Sequence, residues 1–136
     1  MEFSPKKAIK SAKNNNLENW VYKFLTTKGG NKKLANIMKG KGVLIGPKKT
    51  SLNKLTRACG PEKDMKFHED KKIWDKKINK MVKSIKKGWN PPPIIVWDMK
   101  NELSIADGSH RIEAFKKVGI KSYWTIIWQK SKNYNP

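Results

Sequence analysis

Five consecutive residues, Asp107-Gly108-Ser109-His110-Arg111, constrain this chain more than any others because of what stands on either side of them. Upstream lie a proline run and an apolar segment, Pro91 to Trp97, then a turn over 98–101 and a second extended segment, Glu102 to Ala106. Downstream, Ile112, Glu113, Ala114, Phe115 and Val118 have helical spacing, and Gly119 closes the helix. The five residues therefore sit on a strand-to-helix turn. The first N–H groups of a helix have no partner within it and, with the helix dipole, attract anions. Gly108 permits a tight turn or close ligand approach, and Arg111 offers a planar fork that suits phosphate oxygens. The residues alone predict a phosphate-binding loop. Asp-Gly is also a common turn, and Asp or Ser an ordinary helix cap. His110 and Arg111 are harder to explain by capping.

Basic residues sharpen that expectation. The chain has 29 lysines and only two arginines, Arg57 and Arg111. Such a bias, with many Asn and Ile, points to an AT-rich coding background in which an arginine that lysine can replace tends to be lost. At 136 residues the chain predicts one domain with a real core. No apolar run is long enough to span a membrane. The start, Met-Glu-Phe-Ser-Pro-Lys-Lys, lacks the apolar core of a secretion signal, so a cytoplasmic setting is expected. Cys59 stands alone, which excludes an internal disulfide and a cysteine-based zinc site, and His68 and His110 make no metal motif. The net charge of +20 raises nucleic acid as a partner. It is spread as +8 over 1–41, +9 over 42–88 and +3 over 89–136, which a solvated lysine surface also explains.

The spacing of apolar residues predicts an α+β domain. Residues 1–16 read as a flexible basic lead-in, 17–128 as a single domain (17–41 a helical extension, 42–128 the core) and 129–136 as a polar tail. Leu17, Trp20, Val21, Phe24 and Leu25 predict a helix, as do Leu34, Ala35, Ile37 and Met38. Val43 to Ile45 predicts a brief strand ending at Gly46-Pro47. Ser51 is expected to cap a helix carrying Leu52, Leu55 and Ala58. The strongest helix covers about 69–87, with Ile73, Trp74, Ile78, Met81, Val82 and Ile85 as its core stripe and lysines opposite. Ile94 to Trp97, Glu102 to Ala106 and Tyr123 to Trp128 read as strands of a small sheet.

Pro92-Pro-Ile-Ile-Val, followed by Leu103-Ser-Ile-Ala-Asp-Gly-Ser-His-Arg-Ile-Glu-Ala and Gly119, resembles the core of the ParB/sulfiredoxin superfamily. The likeness is closest to small stand-alone ParB-like proteins, some described as ParB-like nucleases. Leu17-Glu-Asn-Trp-Val, Leu44-Ile-Gly-Pro and Leu55-Thr-Arg-Ala-Cys-Gly-Pro-Glu extend it over about 17–128. The resemblance implies a small mixed sheet with packed helices and an N-terminal helical extension. Ser109 stands where sulfiredoxins have an essential cysteine, so their reductase chemistry is not expected. ParB proteins bind and hydrolyse CTP through Gly-Glu-Arg-Arg and carry a following helix-turn-helix module. This chain has Gly108-Ser-His-Arg and few residues after its last predicted strand. Free-serine kinases of the superfamily transfer phosphate through an Asp-Gly-His-x-Arg-like variant. A phosphotransferase or NTPase using ATP, ADP or CTP, with Mg²⁺, fits the residues best. The rival is a non-catalytic or nuclease-like DNA-binding protein of the partition type.

In that mechanism the amides of Gly108, Ser109 and His110 cradle phosphate oxygens and Arg111 clamps them. His110 donates a hydrogen bond or positions the transferred group. Asp107 holds Mg²⁺ or takes a proton from an acceptor hydroxyl. Glu113 reads as a capping partner of Ser109. Arg57 and Glu62 either close the pocket from the other side, with Glu62 activating the acceptor, or form a salt-bridged loop with His68 and Glu69 nearby. Cys59 reads as packing. Trp89 or Trp97 could stack on a base.

Overall fold

The computed structural model describes residues 3–100 and 102–130. Three helices come first: α1 (Pro5–Lys13), α2 (Leu17–Thr26) and α3 (Lys32–Met38). The expected flexible lead-in is thus corrected. Ser4 accepts from the Lys7 N–H, Pro5 opens the helix, and Ala8 is fully buried. There follow β1 (Gly42–Ser51), a single 3-10 turn (Leu52–Lys54), β2 (Leu55–Thr56), β3 (Cys59–Gly60) and β4 (Phe67–His68). The chain ends in α4 (Lys71–Lys86), β5 (Ile94–Met99), β6 (Glu102–Asp107), α5 (Ser109–Lys117) and β7 (Ser122–Lys130).

The five-stranded sheet has the order β1-β7-β5-β6-β2. β1 is antiparallel to β7, β7 parallel to β5, β5 antiparallel to β6 and β6 parallel to β2. The fold is α+β with a mixed sheet, as the sequence predicts. Strand alternation divides the core. Ile95, Ile126 and Trp128 meet the buried faces of α1, α2 and α3. Ile94, Val96 and Ile127 meet Ile112 and Phe115 of α5. α4 then covers α5, with Trp74 and Ile78 packed on Ala114. Helices therefore lie on both sides of the sheet, and α5 is held between sheet and α4. The Tyr123 hydroxyl donates to Pro91 O at 2.7 Å, tying β7 to the proline run.

Four local expectations change. The helix expected after Ser51 does not form, because Leu55 and Thr56 pair with Leu103 and Ser104 as an edge strand. Strand β1 continues past Gly46-Pro47, absorbing them as a register shift between Ile45 and Lys48. Ile73, placed in the α4 core stripe, is 51% exposed. β7 takes in Gln129 and Lys130; the rest of the expected tail, 131–136, lies outside the described residues. No helix among the described residues is long and apolar enough to cross a membrane.

Candidate functional site

β6 ends at Asp107 and α5 begins at Ser109, so Gly108 makes the whole turn, with φ at 123°. A side chain there would be strained and blocked. An added Cβ would lie 2.7 Å from Ile94 Cδ1 and 2.8 Å from Arg111 Nη2. Among the described residues no side chain caps α5. Its first backbone donors therefore point outward without a side-chain acceptor, while Ser109 and Arg111 are themselves buried.

Arg111 turns back along its own helix. Nη2 donates to Asp107 Oδ2 at 2.9 Å and to Asp107 O at 3.1 Å. The other carboxylate oxygen accepts from Asn31 Nδ2 at 3.3 Å, and Asn31 Oδ1 accepts from the Leu34 N–H to cap α3. The Arg111 guanidinium lies 5.6 Å from the centre of the Phe24 ring of α2. Arg111 Nε is buried and has no hydrogen-bond partner among the described residues. The arginine is thus fixed in direction with donor capacity unfilled.

Asp107, Gly108, His110 and Arg111 line a cavity of about 670 Å³. Its other walls are largely apolar, Phe3, Phe24, Met81, Trp89 and Pro92, with Ser4, Lys28 and Asn90 as the polar additions. Trp89 is therefore at the cavity, as expected of one of the two candidate tryptophans. Trp97 instead packs on Trp128 and lies under the Lys130 ammonium.

His110 is gripped from the α4 side. Its Nε2 lies 3.0 Å from Glu69 Oε1, and its ring centre is 4.5 Å from that of Trp74. Glu69 is itself placed, since its N–H donates to Gly60 O at 2.9 Å. Burial would raise the Glu69 pKa, but the His110 hydrogen bond and the charges of His110 and Lys77 outweigh it and hold the carboxyl below its usual range.

Arg57 and Glu62 sit elsewhere. Arg57 Nη2 donates to Glu62 Oε1 at 2.6 Å, Nη1 to Glu62 Oε2 at 3.3 Å and to Cys59 O at 3.1 Å. Its Nε is 3.5 Å from Glu113 Oε2, which Lys116 also approaches at 3.2 Å; both are ion pairs without hydrogen-bond geometry. Glu113 is thus a salt-bridge partner and not a cap for Ser109. The Glu62 hydrogen bond holds the Arg57 guanidinium above its usual range, and the same bond pulls Glu62 below the usual carboxylate range. Neither residue lines the cavity. Their link to it runs through Trp74, which stacks under Arg57 at 5.1 Å and against His110. His68 is exposed and bonded to Pro61 O, and burial raises the Cys59 thiol pKa. No three His, Cys, Asp or Glu side chains gather as a metal site among the described residues.

Sequence reasoning missed Phe24 and Asn31 as site residues, and it placed Glu69 only in the loop group. Asn31 carries a legible signal, a cap residue before a helix, but capping does not reveal its second bond to Asp107.

No family model matches the chain, and no curated protein does. Among solved structures it is similar to sulfiredoxin from Arabidopsis thaliana, at 21% identity and TM-score 0.47, over 66% of this chain and 89% of that one. It is similar to a free serine kinase in complex with AMP, at 19% identity and TM-score 0.44, over 64% of this chain and 30% of that one. It is also similar to a ParB-N domain, at 20% identity and TM-score 0.42, again over 64% and 30%. These neighbours are of the ParB/sulfiredoxin fold. The chain matches less than a third of the length of the kinase and of the ParB-N chain.

Proposed function

We propose that this chain is a ParB/sulfiredoxin-like domain whose Asp107–Arg111 turn binds the phosphates of a nucleotide (ATP, ADP or CTP) and supports phosphoryl transfer or nucleotide hydrolysis. One observation carries this: a single cavity is lined both by the uncapped start of α5, with Arg111 and His110, and by the apolar side chains of Trp89, Met81 and Phe3. A ligand that is anionic at one end and flat and apolar at the other satisfies both. Bare phosphate would leave the apolar walls wet. A purely apolar ligand would bury the helix start without acceptors.

The backbone donors at the start of α5 face the phosphate oxygens, and the missing Cβ of Gly108 leaves room for Ile94 and the Arg111 guanidinium. Arg111 completes the clamp with its unfilled donors. Asp107 fits a magnesium ion poorly, since Oδ1 accepts from Asn31 and the guanidinium at Oδ2 repels a dication. Asp107 is therefore assigned to holding Arg111 in place, and no step is routed through a metal. His110 is the side chain on the cavity wall suited to accept a proton from an attacking hydroxyl or water. The Glu69 carboxylate stabilises the imidazolium that results. Glu62, committed to Arg57, has no catalytic part in this scheme. The bound nucleotide supplies the transferable phosphoryl group.

The test is thermal shift with AMP, ADP, ATP, CTP and inorganic phosphate, with and without Mg²⁺. A nucleotide should raise the melting temperature in wild type and leave Arg111→Ala unmoved. Equal shifts in both proteins, or none with any nucleotide, would remove the proposal.

A further inference from the structure

We propose that the outer face of α4, together with Lys117 of α5, docks on the phosphate backbone of duplex nucleic acid, at a surface separate from the nucleotide cavity. Lys72, Lys76, Lys80 and Lys83 follow one another at i+4, i+4 and i+3 and line a shallow groove of about 580 Å³ with Asp75 and Asn79. Lys117 extends the groove onto the neighbouring helix, its Nζ reaching Asn79 Oδ1 at 3.5 Å. The patch is therefore assembled by tertiary packing from two helices, beyond what a local run of lysines provides.

Its charge is uncompensated. The one acid in the groove, Asp75, is paired with Lys71 at 2.9 Å. Lys77 turns the other way, toward Glu69. The four lysines of the row have no acidic partner among the described residues. Like charges at i and i+4 repel along a helix, so the row is unfavourable to the isolated fold. A polyanion reverses that sign.

The geometry selects the kind of polyanion. From Lys72 to Lys83 the helix rises about 16 Å, a length over which a duplex carries roughly nine or ten phosphates counted on both strands, so the row spans several phosphates of the side it faces. No aromatic side chain lines the groove, so there is nothing on which an unstacked base could lie, as single-strand binders require. The apolar stripe of α4 is committed to α5 through Trp74 and Ile78 and leaves Ile73 as its one exposed large apolar side chain, too little to insert in a bilayer. A sequence-independent contact with duplex backbone is what remains.

The experiment measures binding of a labelled duplex of about 20 base pairs by fluorescence anisotropy across a salt series. Three proteins are compared with wild type. One carries Lys72→Gln, Lys76→Gln, Lys80→Gln and Lys83→Gln. Another removes the same charge from the exposed lysines of α1, as Lys6→Gln, Lys7→Gln, Lys10→Gln and Lys13→Gln. The third is Arg111→Ala. The α4 variant should lose at least tenfold in affinity, and its log–log salt slope should fall by about 3.6. The α1 variant and Arg111→Ala should stay within about threefold of wild type. The melting temperature of the α4 variant should not fall, since like charges have been removed. Equal losses in the α4 and α1 variants would overturn the proposal by making the contact diffuse. Loss in Arg111→Ala would overturn it by merging the surface with the cavity. Tighter binding to a single strand of equal length would overturn it too, as would binding to anionic vesicles or polyglutamate without binding to duplex.

Discussion

Arg57 donates to both oxygens of Glu62 and to Cys59 O, approaches Glu113 and stacks on Trp74, whereas among the described residues Arg111 donates through Nη2 alone, to Asp107, and its buried Nε has no partner. Both are held by carboxylates, and both lie over aromatic rings. The difference is in what is left over. A buried donor without an acceptor costs on the order of 1–3 kcal/mol, so it persists where something else supplies the acceptor. Arg57 has been completed by the protein and serves the loop around β3. Arg111 has been aimed by the protein and left incomplete, beside an uncapped helix start.

Arg111→Ala should break that contrast most severely. Losing a charged clamp at two or more hydrogen bonds predicts about a 100-fold fall in nucleotide affinity, readable by calorimetry. Gly108→Ala should come next. The positive φ and the contact with Ile94 Cδ1 cost stability of about 1–2 kcal/mol, and the methyl group also crowds Arg111, so binding weakens alongside. Arg57→Ala should do the reverse of Arg111→Ala. Stability falls by about 1–2 kcal/mol in a denaturant melt because Glu113 loses a partner, while nucleotide affinity stays within about threefold. Equal effects of the two arginine variants on affinity would erase the distinction between them.

Acid titration offers the smallest and most specific test. Glu62 and Glu69 both have folded pKa values below the usual 4.5. A depressed carboxyl stabilises the fold above its unfolded pKa, and that contribution is lost as pH falls through the folded value. Wild type should therefore lose stability below about pH 4.5. In Arg57→Ala the Glu62 share should be missing, giving a shallower slope over the same window; an unchanged slope would show that the Arg57–Glu62 bond does not perturb Glu62.

The parts of this molecule that could be read from sequence are those whose cause is local. Asp107 to Arg111 sits between an extended run and a helical period, and both are where spacing placed them. The α4 stripe was legible for the same reason, apart from Ile73 at its rim. The Ser51 helix was misread because Leu52, Leu55 and Ala58 do have helical spacing; pairing with β6, nearly fifty residues away, overrides it. α1 hid behind its lysines although Ser4 and Pro5 mark a helix start. In the site, Asn31 reaches Asp107 across 76 positions and Glu69 reaches His110 across 41, and no short-range pattern encodes either. The distribution of duty between Arg57 and Arg111 was invisible for the same reason, since both are scarce arginines beside turn glycines.

The most direct measurement compares ATP with inorganic tripolyphosphate by isothermal titration calorimetry, on wild type and on Arg111→Ala. The two ligands share a phosphate chain, and only ATP also carries a ring system to set against Trp89, Met81 and Phe3. The mixed lining of the cavity predicts that wild type binds ATP at least tenfold tighter than tripolyphosphate and that Arg111→Ala loses both. Equal affinities for the two ligands, or ATP binding that survives the loss of Arg111, would contradict it.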